Sequence, residues 1–422
     1  MKIITFSIVI FLTQLSFAQQ KSTLINAWNT VKSEIIKNAQ YAPDYGATLT
    51  LIINGKEYDR LELGYADITA KKKFSKKTIH QWASVSKIIT SIAILQLIEQ
   101  GKIKLSDKIT QYIPELKQAS KNEAFTQVQI HHLINHSSHV YFDKLYEAFI
   151  KDYPRNKKIN THCFKDLMPY RNLIAFKGKP GKRFNYSNWG YSLLGIVIER
   201  VSKIRYIDYV QQKILLPLEM TNAYFGASTK KEHVRNLSSC HLVQKDGNII
   251  TEKQTFDQCF EEANGGLKAT VNDMIQLMNF ITYKGNKEQK KNYVKVLKEQ
   301  TLKQYYGVPS NSLTNEKNDS KKVFLAIDNA YLSSIRLFGL NLLKYKTNET
   351  YLLGHSGHQY HYISDIEWNI KENFGVILTI NTEGEKGTIP YYFQNMLLYY
   401  VTMLNMSQVQ PIRVRDWSKF LK

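Results

Sequence analysis

The 422 residues carry 57 Lys and Arg against 36 Asp and Glu, a formal net charge of +21, with 43% hydrophobic and 22% charged residues. That composition is ordinary for a globular protein long enough to bury one large core or two domains. The three cysteines exclude a disulfide-scaffold class, and the lysines are scattered, with no nucleic-acid module, so the charge reads as a solvated basic surface.

Met1 to Ala18 reads as a secretory signal: Lys2 gives a positive start, Ile3 to Leu15 an apolar centre, and Ser16-Phe17-Ala18 a small-x-small cleavage site. The expected mature chain begins at Gln19, is periplasmic or secreted, and has no stretch apolar enough to span a bilayer. Among Cys163, Cys240 and Cys259, one bridge is expected, with Cys240–Cys259 the favoured pairing.

Leu24, Trp28, Val31 and Ile35 mark an amphipathic helix; Gly46 to Ile53 reads as a strand, Asn54-Gly55 as its turn and Asp59 to Tyr65 as the return strand. Ser84 and Lys87, three apart, follow in Trp82-Ala83-Ser84-Val85-Ser86-Lys87 at the start of a helix whose apolar run ends at Gly101. Helical patterns dominate from Val128 to Leu342. Within them, residues 140–172 show no clear period and are read as a candidate lid, and 284–322 read as exposed helix and loop. Strands return at Ile335 to Tyr345, Tyr351 to His355, Tyr362 to Asn369 and Gly375 to Asn381, before a last helix over Tyr391 to Leu404. The expected fold is α+β: an antiparallel sheet built from both chain ends (about 22–90 and 330–405), flanked by helices, with a mostly helical insertion over about 91–329, the whole of 19–422 forming one domain.

Alone, the Ser84 pattern fits an N-cap serine as well as a nucleophile, and Ser228-Thr229-Lys230-Lys231 repeats its spacing in a polar stretch. Three elements in order change the balance: Ser84-x-x-Lys87, Tyr186-x-Asn188 and His355-Ser356-Gly357. With Leu133-Ile134-Asn135-His136-Ser137-Ser138, Pro180-Gly181, Tyr191-x-Leu193-Leu194-Gly195, Pro217-Leu218-x-Met220 and Gly265-Gly266, the chain resembles the serine β-lactamase and penicillin-binding-protein superfamily from about Ala47 to Asn381. It looks most like the branch of class C β-lactamases, D-alanyl-D-alanine carboxypeptidases and related esterases.

The chemistry follows from the residues. Ser84 would attack a carbonyl, and a desolvated Lys87 would take its proton. Tyr186 would relay the proton to the leaving group, which a phenol does only where positive charge stabilises its phenolate. Asn188 offers a donor and an acceptor to an acyl amide. The resemblance implies substrate contacts from His355, Ser356 and Gly357, and an oxyanion hole from the backbone N–H groups of Ser84 and His358. Tyr170-x-Asn172 is a competing match without the Pro-Gly before it.

Two departures bear on substrate. His355 stands where many β-lactamases have lysine, which weakens the fixed charge for a carboxylate. His139, Lys203 and His361 replace frequent glycines, and His361 is expected to narrow the pocket. The histidine sets 132/136/139 and 355/358/361 lack cysteine or acidic companions, so neither metal nor cofactor is expected. The reading is an exported serine hydrolase acting through an acyl-enzyme on a D-Ala-type peptide or small ester. Alternatives are a class C-like β-lactamase and an inactive relative binding peptidoglycan or a partner. Expected partners are small-molecule or peptide substrates, cell-wall fragments among them, with no nucleic acid; the sequence carries no signal for an oligomeric state.

Overall fold

The computed structural model describes residues 22–119, 124–152, 163–253, 255, 259–306, 326–328, 332–336, 341–345, 351–370, 372–405, 407 and 412–421. The expected leader over Met1 to Ala18 lies outside the described residues.

The main sheet has eight strands: β1 (Ala47–Ile53), β2 (Lys56–Leu63), β3 (Ala326–Asp328), β4 (Leu332–Arg336), β5 (Asn341–Tyr345), β6 (Tyr351–Gln359), β7 (Tyr362–Asn369) and β8 (Phe374–Ile380). They lie in the order β3-β4-β5-β6-β7-β8-β1-β2, each pair antiparallel. The sheet is therefore assembled from both chain ends, as expected, because β1 docks on β8, with Ala47 opposite Ile380. One departure is that 335–345 is not one strand but the second half of a β4–β5 hairpin, with Arg336 opposite Asn341.

Both faces of the central strands are apolar, so each face takes a helical layer. On one, Leu49, Leu51, Val376 and Leu378 pack with Trp28, Val31 and Ile35 of helix α1 (22–39) and with Phe393, Leu397 and Val401 of the C-terminal helix Ile389–Asn405. On the other, Ile52, Ile366, Trp368 and Ile377 meet helix α2 (Lys87–Glu99). Residues 87 to 97 of α2 are all buried, as befits a helix apolar on every side and enclosed by others.

Regular elements occupy much of 140–152 and 163–172, where the sequence shows no clear period; 153–162 lie outside the described residues. Val140–Tyr141 pairs with Ala175–Phe176, and helix α3 (Asp143–Asp152) buries Leu145 and Phe149. Of the segment 284–322, helices Lys287–Val296 and Glu299–Tyr306 are present, and 307–322 lies outside the described residues. Cys163 pairs with Cys259, not Cys240 with Cys259. Cys240 is free and fully buried on a strand (Cys240–Val243) beside Thr382–Gly384, where no second thiol reaches it. Among the described residues no helix is long and apolar enough to cross a membrane.

Candidate active site

Ser84 sits one turn earlier than the α-helix proper. Ala83–Ser86 is a single 3₁₀ turn, and α2 begins at Lys87. Ala83 enters that turn at φ 47, a left-handed conformation costly for any residue with a Cβ. The surroundings hold it there. Trp82 N–H donates to the Leu267 carbonyl (2.8 Å) and its indole to the Ala269 carbonyl (3.0 Å). The Trp82 carbonyl accepts from Ser364 Oγ on β7 (3.0 Å), and Ser86 Oγ accepts from Leu267 N–H (2.9 Å). The Ser84 turn is thus pinned between the sheet and the segment 264–269.

Three of the expected residues converge on one atom. Lys87 Nζ donates to Ser84 Oγ at 3.0 Å, and Tyr186 OH donates to the same oxygen at 2.9 Å. Lys87 is fully buried and also donates to the Asn264 carbonyl at 2.8 Å. Burial pushes its ammonium below the ordinary lysine range, against the opposing effect of the nearby Tyr186 phenol. Lys87 Nζ lies 5.1 Å from the centre of the Tyr186 ring, so positive charge stands beside the phenol when the amine is protonated. The competing matches lie elsewhere in the bonding pattern: Ser228 Oγ is bonded to His233, and Tyr170 OH donates to Asp152.

Tyr186 lies just ahead of the helix Asn188–Ser202. Ser187 caps that helix, its Oγ accepting from Gly190 N–H and donating to the Val140 carbonyl. Asn188, in the first turn, is exposed to a cleft of about 170 Å³ lined also by Ser84, Tyr146, Trp189, Glu261 and His358. Its aromatic wall is built from α3 and from the stack of Trp189 on Phe142 and Phe260. Tyr146, Trp189 and Glu261 were not singled out from the sequence.

The third element lies on β6. Among the described residues that strand pairs with β5 as far as Gly354, and at Gly357 the Ser84 turn lies against it. A Cβ on Gly357 would stand 2.3 Å from the Trp82 carbonyl and 3.1 Å from Ala83 Cβ, so only glycine permits this approach. Burial alternates along the strand: His355 and Gly357 are buried, Ser356 and His358 exposed. The His355 ring stands 6.4 Å from that of Tyr186, and its Nδ1 donates to the Ser356 carbonyl.

His361 is not in the cleft. Its Nδ1 meets Glu383 Oε2 at 3.1 Å, and His358 Nε2 meets the same oxygen at 3.2 Å. The hydrogen bond with Glu383 pushes His358 up, over the opposing effect of burial. Burial by itself would raise Glu383, but the two imidazoles carry it down to about 2. The left-handed position in this turn is Tyr360 (φ 54), whereas His139 (φ 57) and Lys203 (φ 63) do occupy conformations where glycine would be easier. Among the described residues no His, Cys, Asp and Glu side chains are grouped to hold a metal ion.

The model of the family described as Beta-lactamase matches residues 37–398. Protein flp of Staphylococcus aureus is 26% identical over 345 residues; the match covers 81% of this chain, which spans only 60% of that relative's length. Two solved structures share the fold. The octameric penicillin-binding protein homologue from Pyrococcus abyssi has a TM-score of 0.67 at 22% identity, over 89% of this chain and 77% of its own. The D-alanine carboxypeptidase AmpC from Burkholderia cenocepacia has a TM-score of 0.62 at 13% identity, over 92% and 98%.

Proposed function

The chain belongs to the beta-lactamase family, and from that premise we propose that it is an exported serine hydrolase whose acyl-enzyme forms on Ser84. The observation that carries this reading is the double approach of Lys87 Nζ and Tyr186 OH to Ser84 Oγ. In the proposed sequence Ser84 Oγ attacks the carbonyl carbon of an amide or ester. Its proton passes to the Lys87–Tyr186 pair, and the carbonyl oxygen takes the negative charge. The N–H groups of Ser84 and His358 receive that oxyanion. Tyr186 returns the proton to the departing amine or alcohol, then draws one from water as it attacks the ester carbon, and passes it to Ser84 Oγ as the Oγ–acyl bond breaks. Lys87 is suited to the first transfer because burial disfavours its charged form. Asn188, at the cleft side of Ser84, holds the acyl amide.

A D-Ala-type peptide or a small ester is the favoured substrate class, cell-wall fragments included. His355 spends its Nδ1 hydrogen on the Ser356 carbonyl. While neutral, the ring carries no fixed positive charge and no second N–H to set against a carboxylate, which removes the advantage a lysine would give to carboxylate-bearing substrates. The β-lactamase reading draws support from one observation, that Glu383 favours the charged form of His358 at the cleft. Export is supported by the Met1 to Ala18 pattern and by the Cys163–Cys259 bridge, a pairing typical of oxidising compartments. The test is labelling with a fluorophosphonate and a fluorescent penicillin, followed by mass spectrometry. An adduct on Ser84, lost in Ser84→Ala and kept in Ser86→Ala and Ser228→Ala, is expected. An adduct elsewhere, or none with either probe, overturns the reading.

A further inference from the structure

We infer that His136 is a positioning residue that sets the reach of the Tyr186 phenol to Ser84; the inference rests on the proposed role of Tyr186. His136 holds three successive residues by three different parts of itself. Its carbonyl accepts from Asn185 N–H at 2.7 Å, and its Nδ1 accepts from Ser187 N–H at 3.1 Å. Between them its ring stacks on Tyr186, with centroids 4.3 Å apart and planes 22° from parallel. The residue is buried, and its backbone is left-handed at φ 58.

Each contact has a geometric consequence. The two backbone bonds fix the chain on either side of Tyr186, so the Cα of that residue has little freedom to shift along or across the cleft. The stack fixes the plane of the phenol, and with it the direction of the O–H toward Ser84 Oγ. Tyr186 is 37% exposed, so ordinary packing covers only part of it and the imidazole supplies a floor. In this left-handed conformation the ring and the carbonyl of one residue both reach the stretch 185–187.

The ring is also committed to one state. A nitrogen that accepts from a backbone N–H holds no hydrogen, so His136 is the neutral Nε2–H tautomer while the clamp is closed. Neutrality matters here, since Lys87 lies 5.1 Å from the Tyr186 ring and 5.7 Å from that of Tyr191, which itself is 5.2 Å from His136. A second cation in this group would oppose protonation of Lys87. His136 is not among the residues that line the cleft beside Ser84; it acts through Tyr186.

The experiment compares His136→Ala, His136→Asn and each in a Tyr186→Phe background, with turnover of a chromogenic ester and thermal unfolding measured throughout. His136→Ala frees the phenol, and displacement by about 1 Å costs about 10²-fold in kcat with KM little changed. Asparagine tolerates the left-handed backbone and places Oδ1 near the position of Nδ1, so His136→Asn recovers about tenfold of that loss. In the Tyr186→Phe background His136→Ala adds nothing further to the loss. A loss from His136→Ala that multiplies undiminished onto that of Tyr186→Phe, or full activity in His136→Ala, overturns the inference. Nitrogen-15 NMR judges the clamp without turnover: a His136 Nδ1 free of hydrogen at neutral pH supports it, and a hydrogen-bearing Nδ1 overturns it. Failure of wild-type Ser84 to label sinks the hydrolase reading instead, and is thereby told apart.

Discussion

Gly357→Ala separates the geometry of the site from the stability of the fold. The added Cβ would stand 2.3 Å from the Trp82 carbonyl, and ordinary van der Waals contact begins near 3.4 Å. Relieving the clash therefore moves β6 and the Ser84 turn apart by about 1 Å, and a misplacement of that size costs about 10²-fold in rate. Trp82 cannot yield easily, because its N–H, indole and carbonyl are all bonded. Overpacking costs about 1–3 kcal/mol, while replacing a strand glycine by alanine returns about 0.5–1 kcal/mol, leaving about 0–2.5 kcal/mol of destabilisation. A folded protein with a modestly lower Tm and a kcat/KM reduced about 10²-fold toward a chromogenic ester is expected. Wild-type kcat/KM in a folded Gly357→Ala protein would refute the argument that the strand approach sets the oxyanion geometry.

Tyr186→Phe should lower turnover by about 10²–10⁴-fold with little change in Tm; near-normal turnover, together with its loss in Tyr170→Phe, would assign the role to the wrong tyrosine. Lys87→Met should abolish acylation while leaving Tm unchanged or higher, since a well-packed thioether replaces a buried amine; a sharp drop in Tm would count against this. His355→Lys should raise the acylation rate of a penicillin relative to a small ester, and a fall in that ratio would shift the reading to a β-lactamase. For Glu383→Gln the expected signature is in the pH dependence of stability. Glu383, held at about 2, contributes stability above the ordinary glutamate value and loses it as pH falls toward about 2. His358, raised, contributes below the ordinary histidine value and loses it as pH rises through its folded value. The difference in Tm between wild type and Glu383→Gln should peak between about pH 4.3 and 6.5; a flat difference across pH 3 to 9 would contradict it.

The meeting of Ser84, Lys87 and Tyr186 was legible because each motif is short and a buried helix follows both. The sheet was legible from both ends because β1, β2, β7 and β8 alternate or run apolar between clear turns. What was hidden depends on pairing at a distance. Cys163 reaches Cys259 across 96 residues, past the nearer Cys240, which the fold buries on a strand instead. Glu383 lies 22 and 25 residues beyond the histidines it binds, on the far side of β8. The direction of His361 could not be read from spacing, because Tyr360 takes the left-handed turn and carries the next side chain out of the cleft. Helix α3 did have a signal, since Phe142, Leu145 and Phe149 are three and four apart, but the polar residues around them masked it.

The docking of β1 on β8 has a consequence for how the chain is made. Ala47 meets a partner at Ile380, and the Trp82 carbonyl waits for a hydroxyl 282 residues further along. Translation proceeds from the N-terminus, so the Ser84 turn emerges long before the strands that help to pin it exist. Pairings this distant close late and slowly, because loop entropy is paid before the contact is gained. Until β6 to β8 are delivered, only the bonds to Leu267 and Ala269 are available to hold the left-handed backbone of Ala83, and the sheet side of the clamp is missing. The Ser84 turn is therefore completed only when the last quarter of the polypeptide has been delivered.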